Sequence, residues 1–249
     1  MQRRHEFRIG KERLVGDIHL PDGLPEPFPC VITSHGYKSH RDSDKYFQIG
    51  HRFPLEGIAV YRFDHRGALN GESDGEFQDT TLSRRIDDIP AAIDALAGVP
   101  EIDSSRLGLL GSSLGGMDVL IARSDNIKAR VVMATPFTFP PPSDEMKFAF
   151  REKGYYDYSD GTRIKKEFYE DTQRYNLQEE VTKIKCPLLI IHGYLDELVP
   201  RHHAEVLYRA VGSEIKDLKM IEGADHAFSE LDKLNEVLGY ALDWFKKYL

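Results

Sequence analysis

Only two cysteines, Cys30 and Cys186, occur in 249 residues, and each opens an apolar strand-like run. That excludes a small disulfide-stapled scaffold, and both are read as core residues. No apolar stretch approaches the roughly 20 residues that a helix needs to cross a bilayer. No basic run marks an anionic membrane surface, and the net charge of −8 argues against a nucleic-acid partner. The start, Met1-Gln-Arg-Arg-His-Glu-Phe-Arg8, has no apolar core of the kind a secretory signal carries. The expectation is a soluble cytoplasmic protein. There is no internal repeat and no low-complexity segment.

What is present is ordinary in amount, with 41% hydrophobic and 30% charged residues, and its order is informative. Residues 6–21 alternate apolar and polar and read as an antiparallel pair. Short apolar runs follow at 29–36, 57–64, 107–111, 129–135, 187–193 and 218–222, each fit for a buried strand. Helical patterns lie between them, at 43–57, from Thr80 or Thr81 to about Ala97, after 114, and at 201–211. Pro90 is expected to kink or interrupt the second of these. A closing helix over about 230–248 carries Leu231, Leu234, Leu238, Leu242 and Phe245 at helical spacing. Strands alternating with helices predict an α/β fold: a mostly parallel sheet with helices on both faces.

The stretch Leu107-Gly-Leu-Leu-Gly-Ser-Ser-Leu-Gly-Gly116 contains Gly111-Ser112-Ser113-Leu114-Gly115, a G-x-S-x-G pattern between a strand and a helix. A serine projected from so sharp a turn has strained dihedrals, and the residues two before and two after it face each other, leaving room only for glycine. The helix start then aims free N–H groups at charge forming beside Ser113. A glycine-rich junction without chemistry is the bland alternative. Two further strand ends bear on the choice: Asp196 in His192-Gly-Tyr-Leu-Asp-Glu-Leu-Val-Pro200, and His226 in Gly223-Ala-Asp-His-Ala-Phe228. In an open parallel sheet, functional residues gather at these carboxyl ends.

The order Ser, Asp, His, together with His35-Gly-Tyr37, GSSLG at 111–115, HGYLDELVP and GADHAF, resembles the α/β-hydrolase family over essentially the whole chain. Within that family it looks most like small esterases of the feruloyl and cinnamoyl type. It is also similar to the catalytic domain of prolyl oligopeptidases, though too short to hold their propeller. The resemblance implies a mostly parallel eight-stranded sheet with helices on both faces. The core would be residues 1–135 and 184–249, with a small cap inserted at 136–183. It implies acyl transfer with Ser113 as nucleophile, His226 as general base and acid, and Asp196 orienting the imidazole. Backbone N–H groups of Leu114 and Tyr37 would form the oxyanion hole. No cofactor and no metal are implied.

Competing readings attach to several residues. Asp196 could instead cap its loop, with Glu197 serving the histidine, and His226 could be a surface residue. His35 and His192 are read as bracing their turns, while His202 and His203 are read as solvent-facing rather than metal-binding. Asp64-His-Arg-Gly67 resembles the family's D-x-R-G turn, and Asp64 and Arg66 are read as a structural pair at the rim. The segment 136–183 is too long for a plain crossover and rich in Phe and Tyr. Two or three of these aromatics are expected to face substrate, favouring an apolar or aromatic acyl group, while the rest pack the cap. A contact in a homodimer is a third use for them.

The expected substrate is therefore a small-molecule carboxylic ester. Peptidase, thioesterase and acyltransferase or perhydrolase chemistry share the triad and stay open, as does, more remotely, a non-catalytic binding protein on the same scaffold. A serine nucleophile argues against dehalogenase and epoxide hydrolase chemistry, for which the fold uses Asp, and against dienelactone hydrolase, which uses Cys.

Overall fold

The computed structural model describes all of residues 1–249. Ten strands and eight helices run in the order β1 (Gln2–Ile9), β2 (Glu12–His19), β3 (Phe28–Ser34), α1 (Asp44–Arg52), β4 (Ala59–Phe63), α2 (Leu82–Leu96), β5 (Ile102–Ser112), α3 (Leu114–Ile121), β6 (Ile127–Met133), α4 (Asp144–Lys153), β7 (Tyr155–Asp157), β8 (Arg163–Lys165), α5 (Lys166–Thr172), α6 (Leu177–Thr182), β9 (Leu188–Gly193), α7 (His202–Ala210), β10 (Lys216–Ile221) and α8 (Leu231–Tyr248).

Eight strands form one sheet in the order β1-β2-β4-β3-β5-β6-β9-β10. The β1–β2 and β2–β4 pairs are antiparallel and the remaining pairs parallel. Burial explains the two strand chemistries. In β1 exposed and half-buried residues alternate, while β4 and β9 are buried at every position. A parallel strand covered on both faces has no solvent side on which to place polar residues. Helices α1 and α8 cover one face of the sheet, and α2, α3, α6 and α7 contribute to the apolar cluster on the other. This is the α/β-hydrolase fold.

Between β6 and β9 stand α4, the two-stranded β7–β8 ribbon, α5 and α6. Phe168, Ile164 and Met146 of this insertion join the core cluster beneath it, so its apolar residues do much of the packing. Its last helix, α6, buries Leu177 and Val181 and packs on α3 and α7, as a crossover helix would. Polar ties add to the contact. The Asp171 carboxylate accepts from Ser83 Oγ at 2.6 Å and Ser83 N–H at 2.7 Å, and Lys38 donates to Asp160 at 2.7 Å.

Several local expectations are corrected. Helix α2 runs unbroken through Pro90, with Thr81 as its cap, accepting from the Arg84 N–H at 3.2 Å. Proline removes one ladder bond, but the buried face of Ile89, Ala92, Ile93 and Leu96 holds the helix against the core on both sides of that gap. The first helix stops at Arg52 and tightens into a 3-10 turn over Phe53–Glu56, where Pro54 fits. In α8 the buried stripe is Leu234, Val237, Leu238, Ala241 and Phe245; Leu231 is exposed and Leu242 only half-buried. Cys30 is buried, whereas Cys186, just ahead of β9, is half-buried; both are free thiols.

Candidate active site

Strand β5 delivers its last residue, Ser112, directly to the start of α3, and the turn is made by Ser113 alone. Its backbone stands at φ 55°, ψ −121°, a conformation L residues rarely adopt. The flanking glycines are a steric necessity. A Cβ on Gly111 would strike the Gly115 carbonyl, and one on Gly115 would strike the Ser34 and His35 carbonyls at the end of β3. Three backbone segments thus converge within van der Waals contact. The His35-Gly-Tyr37 turn is part of the same close packing, for a Cβ at Gly36 would lie 3.6 Å from that of Ser113.

Asp196 follows β9 and is buried, its side chain fully so. Its Oδ1 accepts from the N–H groups of Leu198 and Val199 at 3.0 and 2.7 Å, and its Oδ2 accepts from His226 Nδ1 at 2.8 Å. Asp196 therefore makes both the loop contacts and the contact to the histidine. Glu197 points to solvent. Because a carboxylate can only accept, Nδ1 carries the hydrogen and His226 Nε2 is left as a base. His226 and Ser113 open into one cavity of about 460 Å³, which Gly36 and Tyr37 also line. Ser113 Oγ makes no hydrogen bond within the protein. Neither do the N–H groups of Tyr37 and Leu114.

His35 and His192 brace their turns. The His65 N–H donates to His35 Nε2 at 3.1 Å, so His35 Nδ1 is the donor toward the Gly36 carbonyl at 3.0 Å. Burial holds the His35 imidazole well below its ordinary pKa, which keeps it neutral. His192 Nε2 meets the Val199 carbonyl at 2.7 Å. His203 differs from expectation: it is half-buried, and its Nδ1 accepts from the Phe137 N–H at 3.1 Å, tying α7 to the start of the insertion.

Asp64 and Arg66 do not pair with each other. Asp64 is buried against the Arg41 guanidinium, while Arg66 Nε donates to Asp88 at 2.6 Å. The chain leaves β4 at Phe63 and turns at Arg66-Gly67, so the two side chains diverge and each finds its own partner. The aromatics of 136–183 also depart from expectation, since none lines the cavity shared by Ser113 and His226. Phe139, Phe168 and Tyr169 pack edge to face on one another, and Phe168 lies 5.5 Å from the Tyr37 ring.

Two groups escaped the sequence reading. Beneath the elbow, Asp118 of α3 accepts from Ser34 Oγ at 2.8 Å and Arg85 Nε at 2.9 Å, and Arg85 also reaches the His35 carbonyl. The same Ser34 Oγ meets His65 Nε2 at 2.8 Å, and His65 Nδ1 meets Asp88 at 3.2 Å. The visible signal was one acid in the otherwise apolar helix Leu-Gly-Gly-Met-Asp-Val-Leu-Ile. The other group is Lys45, whose side chain lines the cavity from the first turn of α1; nothing in its sequence surroundings pointed inward.

Comparison with known proteins bears on the family and the fold. The chain is 28% identical over 230 residues to the palmitoyl-protein thioesterase ABHD10, mitochondrial, of Homo sapiens, covering 86% of this chain and 72% of that one. It superposes on Est1E from Butyrivibrio proteoclasticus, solved with ferulic acid bound, with a TM-score of 0.81 at 23% identity over 97% of this chain and 99% of that one. Mouse alpha/beta hydrolase domain-containing protein 10 gives a TM-score of 0.79 at 23% identity, covering 98% and 99%. The sequence profile of the prolyl oligopeptidase family matches residues 56–249. The chain therefore belongs to the prolyl oligopeptidase family, within the serine hydrolases of α/β-hydrolase fold.

Proposed function

We propose that this hydrolase cleaves a carboxylic ester through an acyl-enzyme formed on Ser113, with His226 as general base and acid and Asp196 orienting it. The observation that carries the reading is the 2.8 Å contact from His226 Nδ1 to Asp196, made by a histidine that opens into the same cavity as the elbow serine. His226 Nε2 takes the Ser113 proton as the oxygen attacks the acyl carbon. It returns that proton to the departing alkoxide, and a water repeats the cycle to free the acid. Asp196 keeps Nε2 unprotonated at the start and stabilises the imidazolium that follows. The tetrahedral oxyanion is held by the N–H groups of Leu114 and Tyr37, a donor of this kind being worth about 3 kcal/mol.

The cavity, at about 460 Å³, suits a small to medium ester. No ring of 136–183 lines it; its aromatic walls are Tyr37, Tyr46 and Phe228 of the core. A thioester is the second reading, favoured by the similarity to a chain named as a palmitoyl-protein thioesterase. The test is hydrolysis of p-nitrophenyl esters from acetate to decanoate, beside acyl thioesters of the same chain lengths, by wild type and Ser113→Ala. Ester turnover that falls on the order of a thousandfold or more in the variant is expected. Turnover of thioesters alone would move the function to the second reading, and an undiminished rate in Ser113→Ala would remove the serine from the mechanism.

A further inference from the structure

Lys45 enters the cavity from the first turn of α1 and ends beside the elbow. Its Nζ donates one hydrogen bond, to Ser112 Oγ at 2.9 Å, on the residue directly preceding Ser113. It lies 5.0 Å from the Phe228 ring centroid, two residues past His226. It pairs with no carboxylate, unlike Lys38, Lys165 and Lys246, each of which meets an acid at the surface. Burial lowers its pKa to about 8, with Asp225 and Asp196 pulling the other way from a distance, so the group is still largely cationic at neutral pH. An ammonium has three donors, and two of these have no partner in the protein.

The surroundings leave the charge unanswered. Ser39, Ser43, Ser112 and Ser229 line the cavity and offer hydroxyls, and the one acid in the lining, Asp44, is exposed. Lys45 is half-buried, and a cation partly withdrawn from water costs free energy unless something answers it. Maintaining one beside the nucleophile is explained if the reacting molecule supplies the anion.

We propose that Lys45 determines specificity by binding a carboxylate carried by the substrate, so that anionic esters are cleaved in preference to neutral esters of the same size. The inference rests on the esterase reading of Ser113 and deepens it. The carboxylate can sit on the acyl part or on the leaving alcohol, and paired probes separate the two. Phenyl acetate against 4-acetoxybenzoate places the charge on the leaving group; p-nitrophenyl pentanoate against the p-nitrophenyl monoester of adipic acid places it on the acyl chain.

Wild type should favour the anionic member of one pair by about tenfold or more in kcat/KM, the size of a charge-assisted contact, and the preference should shrink with added salt. In Lys45→Met the ratio should fall to near one. Lys45→Gln, which keeps a donor toward Ser112 without the charge, should lose the preference too. If wild type prefers neither anionic probe, or if Lys45→Gln keeps the wild-type ratio, the proposal is overturned. Absolute rates on the neutral probes, compared with Ser113→Ala, report separately on the esterase reading.

Discussion

Ser113 occupies a backbone region that costs a non-glycine residue about 1–3 kcal/mol, and the surrounding glycines and carbonyls hold it there. The cost buys the position of one oxygen. Ser113→Gly removes both the nucleophile and the strain, whereas Ser113→Ala removes only the nucleophile. Glycine gives back about 0.5–1 kcal/mol through a freer unfolded chain, so the glycine variant should exceed the alanine variant in stability by about 1 kcal/mol. Paired urea denaturations measure this, and equal or reversed midpoints would show that the elbow is not strained. Asp196→Asn tests the partner contact. The amide fits the site but can present N–H to His226, favouring the wrong tautomer. Turnover should fall roughly ten-thousandfold with the fold intact, as when the acid of a serine triad loses its charge. A loss of less than tenfold would reduce Asp196 to a loop cap. Both side chains stood out in the sequence because their chemistry fixes their neighbours: glycines around the serine, a strand end before the acid.

Helix α3 shows what neighbours along the chain do not reveal. Asp118 is buried in its middle, and its partners Arg85 and Ser34 come from α2 and β3. Together they fix the end of β3, from which the His35-Gly-Tyr37 turn departs. Burial raises the Asp118 pKa, and Arg85 opposes that shift, so each charge depends on the other. Arg85→Met should therefore cost about 3–5 kcal/mol by leaving an uncompensated acid in the core. Adding Asp118→Leu should recover much of that loss, because the second charge goes too. Chemical denaturation of both variants decides it, and a double variant no more stable than the single one would contradict the pairing. The alternation of β1 and the apolar runs of β4 and β9 were legible, since burial on one or two faces writes itself directly into residue order. Partners such as Arg66 with Asp88, 22 positions apart, were not. Nor was the unbroken course of α2 through Pro90, because tertiary contacts outweighed a local rule.

The whole chain was legible as far as strands, crossovers and loop ends define it, and less so where packing between segments decides. The segment between β6 and β9 stands out by its length, but none of its rings lines the cavity of Ser113, a choice composition does not encode. The histidines give the molecule a collective property of the same kind. His5, His19, His35, His65, His192 and His203 are all held below their ordinary value, in each case chiefly by burial, with His19 lowered to about 4. On acidification the unfolded chain takes up protons near pH 6.5 that the folded chain refuses. The unfolded state then binds more protons, so stability present above that pH is lost as pH falls from there toward the depressed folded values. Each fully buried member, such as His35 or His65, contributes a slope of about 1.4 kcal/mol per pH unit. Asp88, raised by burial to about 6, and Asp118 act in the opposite sense between the ordinary carboxylate range and their folded values, but they are two against six. Urea midpoints should therefore drop from pH 7.5 to pH 6 and again to pH 5.5. His35→Gln and His65→Gln should flatten that dependence, whatever they do to stability at pH 7.5. A midpoint that holds level or rises over this interval would mean that these imidazoles take up protons without unfolding, and that the polar network beneath the elbow opens to water.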